Sequence, residues 1–307
     1  MKQTNIVDMN YTNSDDEYQE VCQFLNTLAG KDPYMLWEAG RMNFWRYNVH
    51  AEKEPQGPFF RENVHVWRSD GQIVGLCISE YGEDDLFIEV LPEFHFIYPD
   101  IFRWINGIWS KSRKKIKIDL YDEDEKKISW LKKDGYTFLH HHANHREYHL
   151  DKIDLSYKLE EGFSIQTCAE LNDIPAMVAL VQSAFDNPNY NETRLKGLIS
   201  SPDYITEYHL AVVSPEKQPV AYCIGWHTPS TENEGYIEPV GTHADFRRRG
   251  FAKAMIRECF QRLEANGIKI VAIASAAEPN ISNFLYDSLS PQVKKKVDFY
   301  SKDAPTR

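Results

Sequence analysis

Three consecutive arginines, Arg247 to Arg249, stand in the segment VGTHADFRRRGFAKAM (Val240–Met255) of a 307-residue chain whose formal charge is −11. Guanidinium groups and free backbone N–H groups are what proteins use to hold phosphate. Gly250, after the triplet, lacks a Cβ and lets an anion approach the backbone, and Ala252 keeps the next position small. Beyond them FAKAMIRECFQRLEANG reads as a long helix. Ala252, Ile256, Cys259, Phe260 and Leu263 form its apolar stripe, Lys253, Arg257, Gln261 and Glu264 face away, and Asn266-Gly267 stops it. The spacing places the helix start at Arg249–Phe251. The first N–H groups of a helix lack intrahelical partners and carry the positive end of its dipole, so Arg247–Lys253 reads as an anion site. Neither GxxxxGK[ST] nor GxGxxG after a strand occurs, which argues against a P-loop nucleotide triphosphatase and a Rossmann dinucleotide site.

The elements that position this loop occur twice. NVHVWRSDGQIVGLCISEYGEDDLFIEVLPEF (Asn63–Phe94) reads as strand, Asp-Gly turn, strand, acidic turn, strand, and EYHLAVVSPEKQPVAYCIGWHTPSTENEGYIEPVGTHADF (Glu207–Phe246) repeats the order. A helix precedes each meander. Tyr18, Val21, Phe24, Leu25 and Leu28 share one face of the first. Ile174, Met177, Leu180, Val181 and Ala184 share one face of the second, which follows a short strand at Phe163–Gln166. Apolar periodicity lapses at Leu150–Gly162, so the chain divides into two α+β domains of similar plan, 1–153 and 161–307.

Arg-x-x-Gly-x-Ala between strand and helix, here Arg247, Gly250 and Ala252, is similar to the pyrophosphate-binding motif of the GNAT acyl-CoA-dependent N-acetyltransferases. The resemblance continues through GIKIVAIASAAEPNISNFLYDSL, an apolar strand (Ile268–Ala274) followed by a helix bearing Asn283 and Tyr286, and it covers roughly Phe163–Lys302. The first half, with its meander, DGYTF (Asp134–Phe138) and the closing strand HREYHLD, resembles it more weakly. Together they resemble the tandem-GNAT arrangement, of which mycothiol synthase is one example. The implied fold is a three-layer α/β/α sandwich with mixed, mostly antiparallel sheets, twice over. The first copy departs from the motif: Phe96, Tyr98 and Pro99 stand where a phosphate loop would be, which makes it a degenerate copy without coenzyme. In the second, DSLSPQVKKK follows Tyr286 in place of a Gly-Phe pair.

The resemblance implies acetyl-CoA as co-substrate, with its pyrophosphate on Arg247, Arg248, Arg249, Gly250, Phe251, Ala252 and Lys253. It places the amide-like pantetheine arm on main-chain groups of Val240 and Thr242. Pro239 has no N–H to donate, and Gly241 permits a bulge or close approach. Asn283 joins the coenzyme-binding set, and Tyr286 lies near the coenzyme sulfur as general acid. A free alkylamine has a pKa of about 10 and arrives protonated, so a base is needed. Glu238, preceding the pantetheine strand positions, is the first candidate, with His243 and Glu234 as rivals. The reaction is acetyl transfer to a primary amine whose identity is unreadable; the alternative is a non-catalytic acyl-CoA-binding sensor or scaffold.

The remaining features point away from other classes. The −11 charge and pI of about 5.5 disfavour nucleic acid as a partner. No apolar run approaches the ~18 residues of a membrane span. The polar, acidic start reads as neither signal nor transit peptide, and five scattered cysteines without a CxxC pair fit a reducing cytoplasm. FLHHHANHREYHL reads as strand, Ala-Asn turn, strand; its consecutive histidines would point to opposite faces, so no metal is expected. The aromatic segment PYMLWEAGRMNFWRY reads as core or cleft wall.

Overall fold

The computed structural model describes residues 5–227 and 233–305. Its strands are β1 (Ile6–Asn10), β2 (Val64–Ser69), β3 (Gln72–Ile78), β4 (Asp85–Val90), β5 (Lys115–Tyr121), β6 (Thr137–His149), β7 (Ser164–Thr167), β8 (His209–Val213), β9 (Pro219–His227), β10 (Glu234–Thr242), β11 (Ile270–Ala276) and β12 (Val293–Asp303). The chain forms two compact units. The first holds the residues up to Met42, Lys53–Asn144 and those from Lys295 onward; the second holds Asn43–Glu52 and His145–Lys294. No helix among the described residues is long and apolar enough to cross a membrane.

In the first unit the strand order is β1-β2-β3-β4-β5-β12-β6. β2, β3 and β4 form the antiparallel meander, and β4 runs parallel to β5. The helix Asp15–Ala29 is started by Ser14, whose side chain accepts from the Glu17 N–H. Tyr18, Val21, Phe24, Leu25 and Leu28 are buried, as their spacing requires.

In the second unit β11 lies between the last residues of β6 and β10, followed by β9, β8 and β7. Alternation along β9 sends side chains to two helix layers. A Cβ on Gly225 would meet Cys259 of the helix Phe251–Ala265, whereas Tyr222 touches the place a Cβ on Gly241 would take beside Ala184 of the helix Ile174–Phe185. The helix Phe251–Ala265 buries Phe251, Met255, Ile256, Phe260 and Leu263, each large apolar side chain contributing about 1.5–3 kcal/mol. Ala252 is only half-buried, so it lies beside the stripe rather than in it.

The compact units depart from a linear split of the chain at two places. Asn43–Glu52 belongs with the second unit, where the Asn48 amide donates to Tyr190 Oη at 2.8 Å and to the Arg194 carbonyl at 3.1 Å. Gly197 there lies so close to the Tyr47 carbonyl that a Cβ would meet it at 2.2 Å. The C-terminal strand belongs with the first unit: β12 pairs antiparallel with β5 from Val297 opposite Tyr121 to Asp303 opposite Lys115. Both contacts join residues far apart in sequence, which local periodicity does not encode.

β6 differs from the two strands and turn expected of FLHHHANHREYHL. It is one continuous strand, with no positive-φ residue at Ala143 or Asn144 to reverse it. Its residues up to Asn144 belong to the first unit and those from His145 to the second.

Candidate active site

The site in the second unit begins with two parallel strands that part. β10 pairs with β11 at Glu234, Gly235 and Tyr236, opposite Ile270, Val271 and Ala272, while β10 continues to Thr242 and β11 to Ala276. Beyond Tyr236 the β11-facing edge of β10 therefore has main-chain groups for an extended, amide-bearing ligand. On the other edge Ile237 faces Gly225 and Val240 faces Cys223, so Glu238 and Pro239 stand against one residue of β9. This is a bulge, and it turns the strand locally. The Trp226 indole N–H donates to the Glu238 carbonyl at 2.7 Å and holds the bulge in place. The Glu238 side chain is exposed, and Val240 and Thr242 are half-buried.

Of the two roles the sequence left open for Gly241, a bulge or a close approach, the structure shows the close approach. It is buried, and a Cβ there would meet Tyr222 Cε1 at 2.7 Å and Ala184 Cβ at 2.9 Å. Its bareness lets the helix Ile174–Phe185 pack against β10; the bulge itself sits one step earlier.

The arginine loop then leads into the helix at Phe251. Arg247 is extended, Arg248 is left-handed at φ 64°, and Gly250 is left-handed at φ 84°. No side chain caps the helix, and no atom lies within 4 Å of where a Gly250 Cβ would be. The open space over a 15-residue helix start fits a phosphate group, whose oxygens would take the unpaired N–H groups. The three guanidinium groups divide the work. Arg247 donates to the Ala184 carbonyl at 3.0 Å and to the Thr242 carbonyl at 3.4 Å, so its charge sits at the C-terminus of the helix Ile174–Phe185. Arg249 grips Glu160 with two bonds, at 3.0 and 2.6 Å, among the rings of Phe163, Phe246 and Phe251. Arg248 has no side-chain partner among the described residues and is the free cation of the loop. Lys253 donates to the Ser288 carbonyl at 3.0 Å and so ties the motif helix to the end of the next one.

That next helix, Ser282–Asp287, carries Asn283 and Tyr286, both buried. Burial pushes the Tyr286 phenol well above its usual value, and the Glu238 carboxylate pushes it further. The two sequence-predicted catalytic groups therefore share one electrostatic environment. His243 has its Nδ1 engaged by the Asp245 N–H at 3.3 Å, and Glu234 lies at the paired start of β10.

Asn283 departs from the coenzyme-facing role the resemblance implied. It is 3% exposed, its Oδ1 accepts from Arg146 at 2.8 Å and from Ser275 at 2.7 Å, and its amide donates to the Ala276 carbonyl at 3.2 Å. A buried amide so engaged is an internal tie, because turning it outward would orphan several buried partners. Arg146 was not singled out from the sequence; the available signal was an arginine two residues before a buried tyrosine, Tyr148, on a closing strand.

The corresponding place in the first unit is built differently. β4 and β5 pair only at Asp85–Leu86 opposite Lys117–Ile118 and then part. Glu89 of β4 is 1% exposed and accepts the backbone N–H groups of Leu36 at 2.9 Å and Trp37 at 3.0 Å. Lys127 Nζ lies 3.8 Å from Glu89 and is equally buried. Burial raises the Glu89 carboxyl to about 6, opposed by Lys127. A buried carboxylate on β4, tied to two backbone N–H groups and facing a buried lysine, thus stands next to this parting. Instead of a loop with glycine, a 3-10 turn, Pro92–Ile97, runs straight into the helix Tyr98–Gly107, with Ile97 buried.

The histidine cluster behaves as strand alternation requires. His140 and His142 lie against Phe299, with centroids 5.5 and 4.0 Å away, while His141 faces Asp298 at 3.3 Å. Among the described residues no group of three or more His, Cys, Asp or Glu side chains is placed to hold a metal ion.

Comparison with known proteins agrees with this geometry. Residues 174–287 match the model of the acetyltransferase (GNAT) family. No curated protein matches the chain. Among solved structures, the tandem GNAT protein from the clavulanic acid biosynthesis pathway superposes with a TM-score of 0.64 at 13% identity, over 99% of this chain and 100% of that one. A GCN5-related N-acetyltransferase from Sphaerobacter thermophilus gives 0.61 at 18% identity, over 98% of this chain and 96% of that one. A GNAT-family acetyltransferase from Colwellia psychrerythraea gives 0.61 at 12% identity, over 97% and 100%. These identities establish a shared fold. The parted strands, the bulge and the glycine-opened helix fall within the matched segment: the chain has a tandem GNAT-like α+β fold, and residues 174–287 of its second unit match the GNAT acetyltransferase family.

Proposed function

We propose that the second unit transfers an acetyl group from acetyl-CoA to a small-molecule or peptide primary amine. The observation that carries this reading is the open space over Gly250, at an uncapped helix start that follows the parting of β10 from β11. The pyrophosphate would take the backbone N–H groups of Arg248–Lys253 and the Arg248 guanidinium, and the pantetheine arm would run along Val240–Thr242. Acetyl-CoA supplies the activated acyl group.

Glu238 accepts the proton the ammonium must lose, directly or through water, freeing the nitrogen lone pair that forms the N–C bond. Tyr286 keeps its proton at every physiological pH and gives it to the sulfur as the C–S bond breaks. After the N–C bond forms the nitrogen sheds its second proton to solvent, and the proton held by Glu238 restores Tyr286 through solvent, so the net products are an amide, a free thiol and one released proton. The first unit, whose 3-10 turn Pro92–Ile97 stands where the second has its glycine loop, is the non-binding half, with one acetyl-CoA per chain. The five cysteines, all free and buried, fit a reducing compartment such as the cytoplasm.

A second reading, a non-catalytic acyl-CoA-binding scaffold, is favoured by one observation. Ile281 and Phe284, at the helix that carries Tyr286, are 78% and 76% exposed and would suit a partner protein. A panel of amines assayed by free-thiol release separates the two. Release that depends on an amine and falls in Glu238→Gln supports transfer; tight acetyl-CoA binding without release from any amine supports the scaffold.

A further inference from the structure

We propose that Arg146 is a positioning residue for Tyr286: its buried guanidinium fixes the short helix that carries the phenol and so sets where the phenol delivers its proton. The kinetic part of this inference rests on the acetyl-transfer reading; the structural part does not.

Arg146 lies on the closing strand β6 and is 3% exposed. Its donors reach three partners on two other elements. Nε meets Asp287 Oδ1 at 2.7 Å, one terminal nitrogen meets Ser275 Oγ of β11 at 3.0 Å, and the other meets Asn283 Oδ1 at 2.8 Å. Asn283 and Asp287 flank Tyr286 on its helix, and the Arg146 guanidinium carbon is 6.0 Å from the Tyr286 ring. Tyr148, two residues along the same strand, donates its hydroxyl to the Tyr286 carbonyl at 2.9 Å.

A six-residue helix cannot hold itself, because nucleation costs more than so few hydrogen bonds return. Its position is therefore set from outside, and β6 and β11 supply the setting. Only an arginine has a fixed planar fork with enough donors for three separated acceptors; a lysine ammonium in the same place is a point charge on a flexible stem. Nothing in the network points to a ligand, and Arg146 is too deep to touch one. Its action on chemistry runs through Tyr286.

The test compares Arg146→Gln and Arg146→Lys with the wild-type full chain, each alone and in a Tyr286→Phe background. Arg146→Gln is expected to lower kcat by roughly 10–100-fold, the order of effect of misplacing a reacting group by an ångström. Acetyl-CoA affinity by calorimetry should stay within about 3-fold, since the Gly250 loop is untouched. In the Tyr286→Phe background the further loss should be under about 2-fold, because residues that act as one unit are not additive. Arg146→Lys should fall between wild type and Arg146→Gln. An equal loss of kcat with and without the Tyr286 hydroxyl would overturn the proposal.

A second readout needs no turnover: the fluorine resonance of 3-fluorotyrosine-labelled protein, with the Tyr286 signal assigned by its absence in Tyr286→Phe. Displacement of that signal in either Arg146 variant, with the Tyr222 signal unmoved, supports the proposal, and an unmoved Tyr286 signal contradicts it. Should Arg146→Gln fail to fold, Arg146→Lys carries both readouts. If the wild type binds no acetyl-CoA, the acetyl-transfer reading fails and the fluorine spectrum still decides the placement of Tyr286.

Discussion

Each of the two units has a pair of parallel strands that part, and the chain around the parting differs between them. In each, a meander's last strand runs parallel to the next strand for two or three residues and then leaves it, β4 from β5 and β10 from β11. In the first unit the parting strand carries a buried carboxylate that takes the N–H groups of Leu36 and Trp37 and faces a buried lysine, and a 3-10 turn leads directly into the following helix. In the second, a bulge, an arginine loop and a left-handed glycine leave the helix start open. An opening between parted strands is a property of the fold, whereas a ligand site requires that the chain leave its donors unsatisfied. Backbone donors are satisfied in different ways in the two units: the buried carboxylate of Glu89 takes the Leu36 and Trp37 N–H groups, whereas the helix start at exposed Gly250 has no side-chain cap.

The comparison can be broken most forcefully at Gly250. Gly250→Glu puts a carboxylate into the open space at a φ of 84°, where a side chain also costs about 1–2 kcal/mol. Like-charge repulsion with phosphate adds to that, and acetyl-CoA affinity is expected to fall by more than ~100-fold in a calorimetric titration. Next come the proton-handling groups. Glu238→Gln and Tyr286→Phe should each lower kcat by about 100-fold while leaving acetyl-CoA affinity nearly unchanged, as measured by thiol release at saturating donor.

The buried pair in the first unit should respond in stability and leave ligand binding unmoved. Glu89→Gln removes one of the two carboxylates, with Asp124, that lie 3.8 Å from buried Lys127, and is expected to cost about 1–3 kcal/mol in urea unfolding, with acetyl-CoA affinity unaltered. Because burial holds the Glu89 carboxyl up at about 6 against an ordinary 4.5, its share of stability is full below about pH 4.5 and is lost as pH rises through about 6. Unfolding measured across that window should show the decline in the wild type and a flatter profile in Glu89→Gln. The smallest effect separates two neighbouring arginines. Arg248→Ala should weaken acetyl-CoA binding by about 3–10-fold and reduce its salt dependence. Arg249→Ala, whose charge is already spent on half-exposed Glu160, should change it by less than about 2-fold.

Much of the second unit was legible because its signals are local. The apolar stripe of Phe251–Ala265, the glycine at its head and the meander before it lie within a few dozen residues, and periodicity reads such spans directly. Glu238 and Tyr286 were named through the resemblance, and the Glu238 carboxylate adds to burial in holding the Tyr286 phenol above its usual value. What the sequence withheld were contacts between distant segments. Nothing local to Asn283 announces that Arg146, 137 positions away, occupies its side chain. Nor does the run from Lys295 announce that it pairs with β5 and completes the first unit. Gly241 shows a subtler limit. A bulge or a close approach was expected at that position, and which neighbours make the approach, Ala184 and Tyr222, only the third dimension displays. Glu89 stood in plain view as a lone carboxylate in the apolar run LFIEVL, a signal passed over because strand carboxylates are ordinarily solvated.

The central claim is one acetyl-CoA site per chain, at the loop that Gly250 opens. Calorimetric titration of the full chain with acetyl-CoA, wild type beside Gly250→Glu, measures it directly. The account predicts a stoichiometry near one for the wild type and no measurable binding for the variant; two sites per chain, or undiminished affinity in Gly250→Glu, would contradict it.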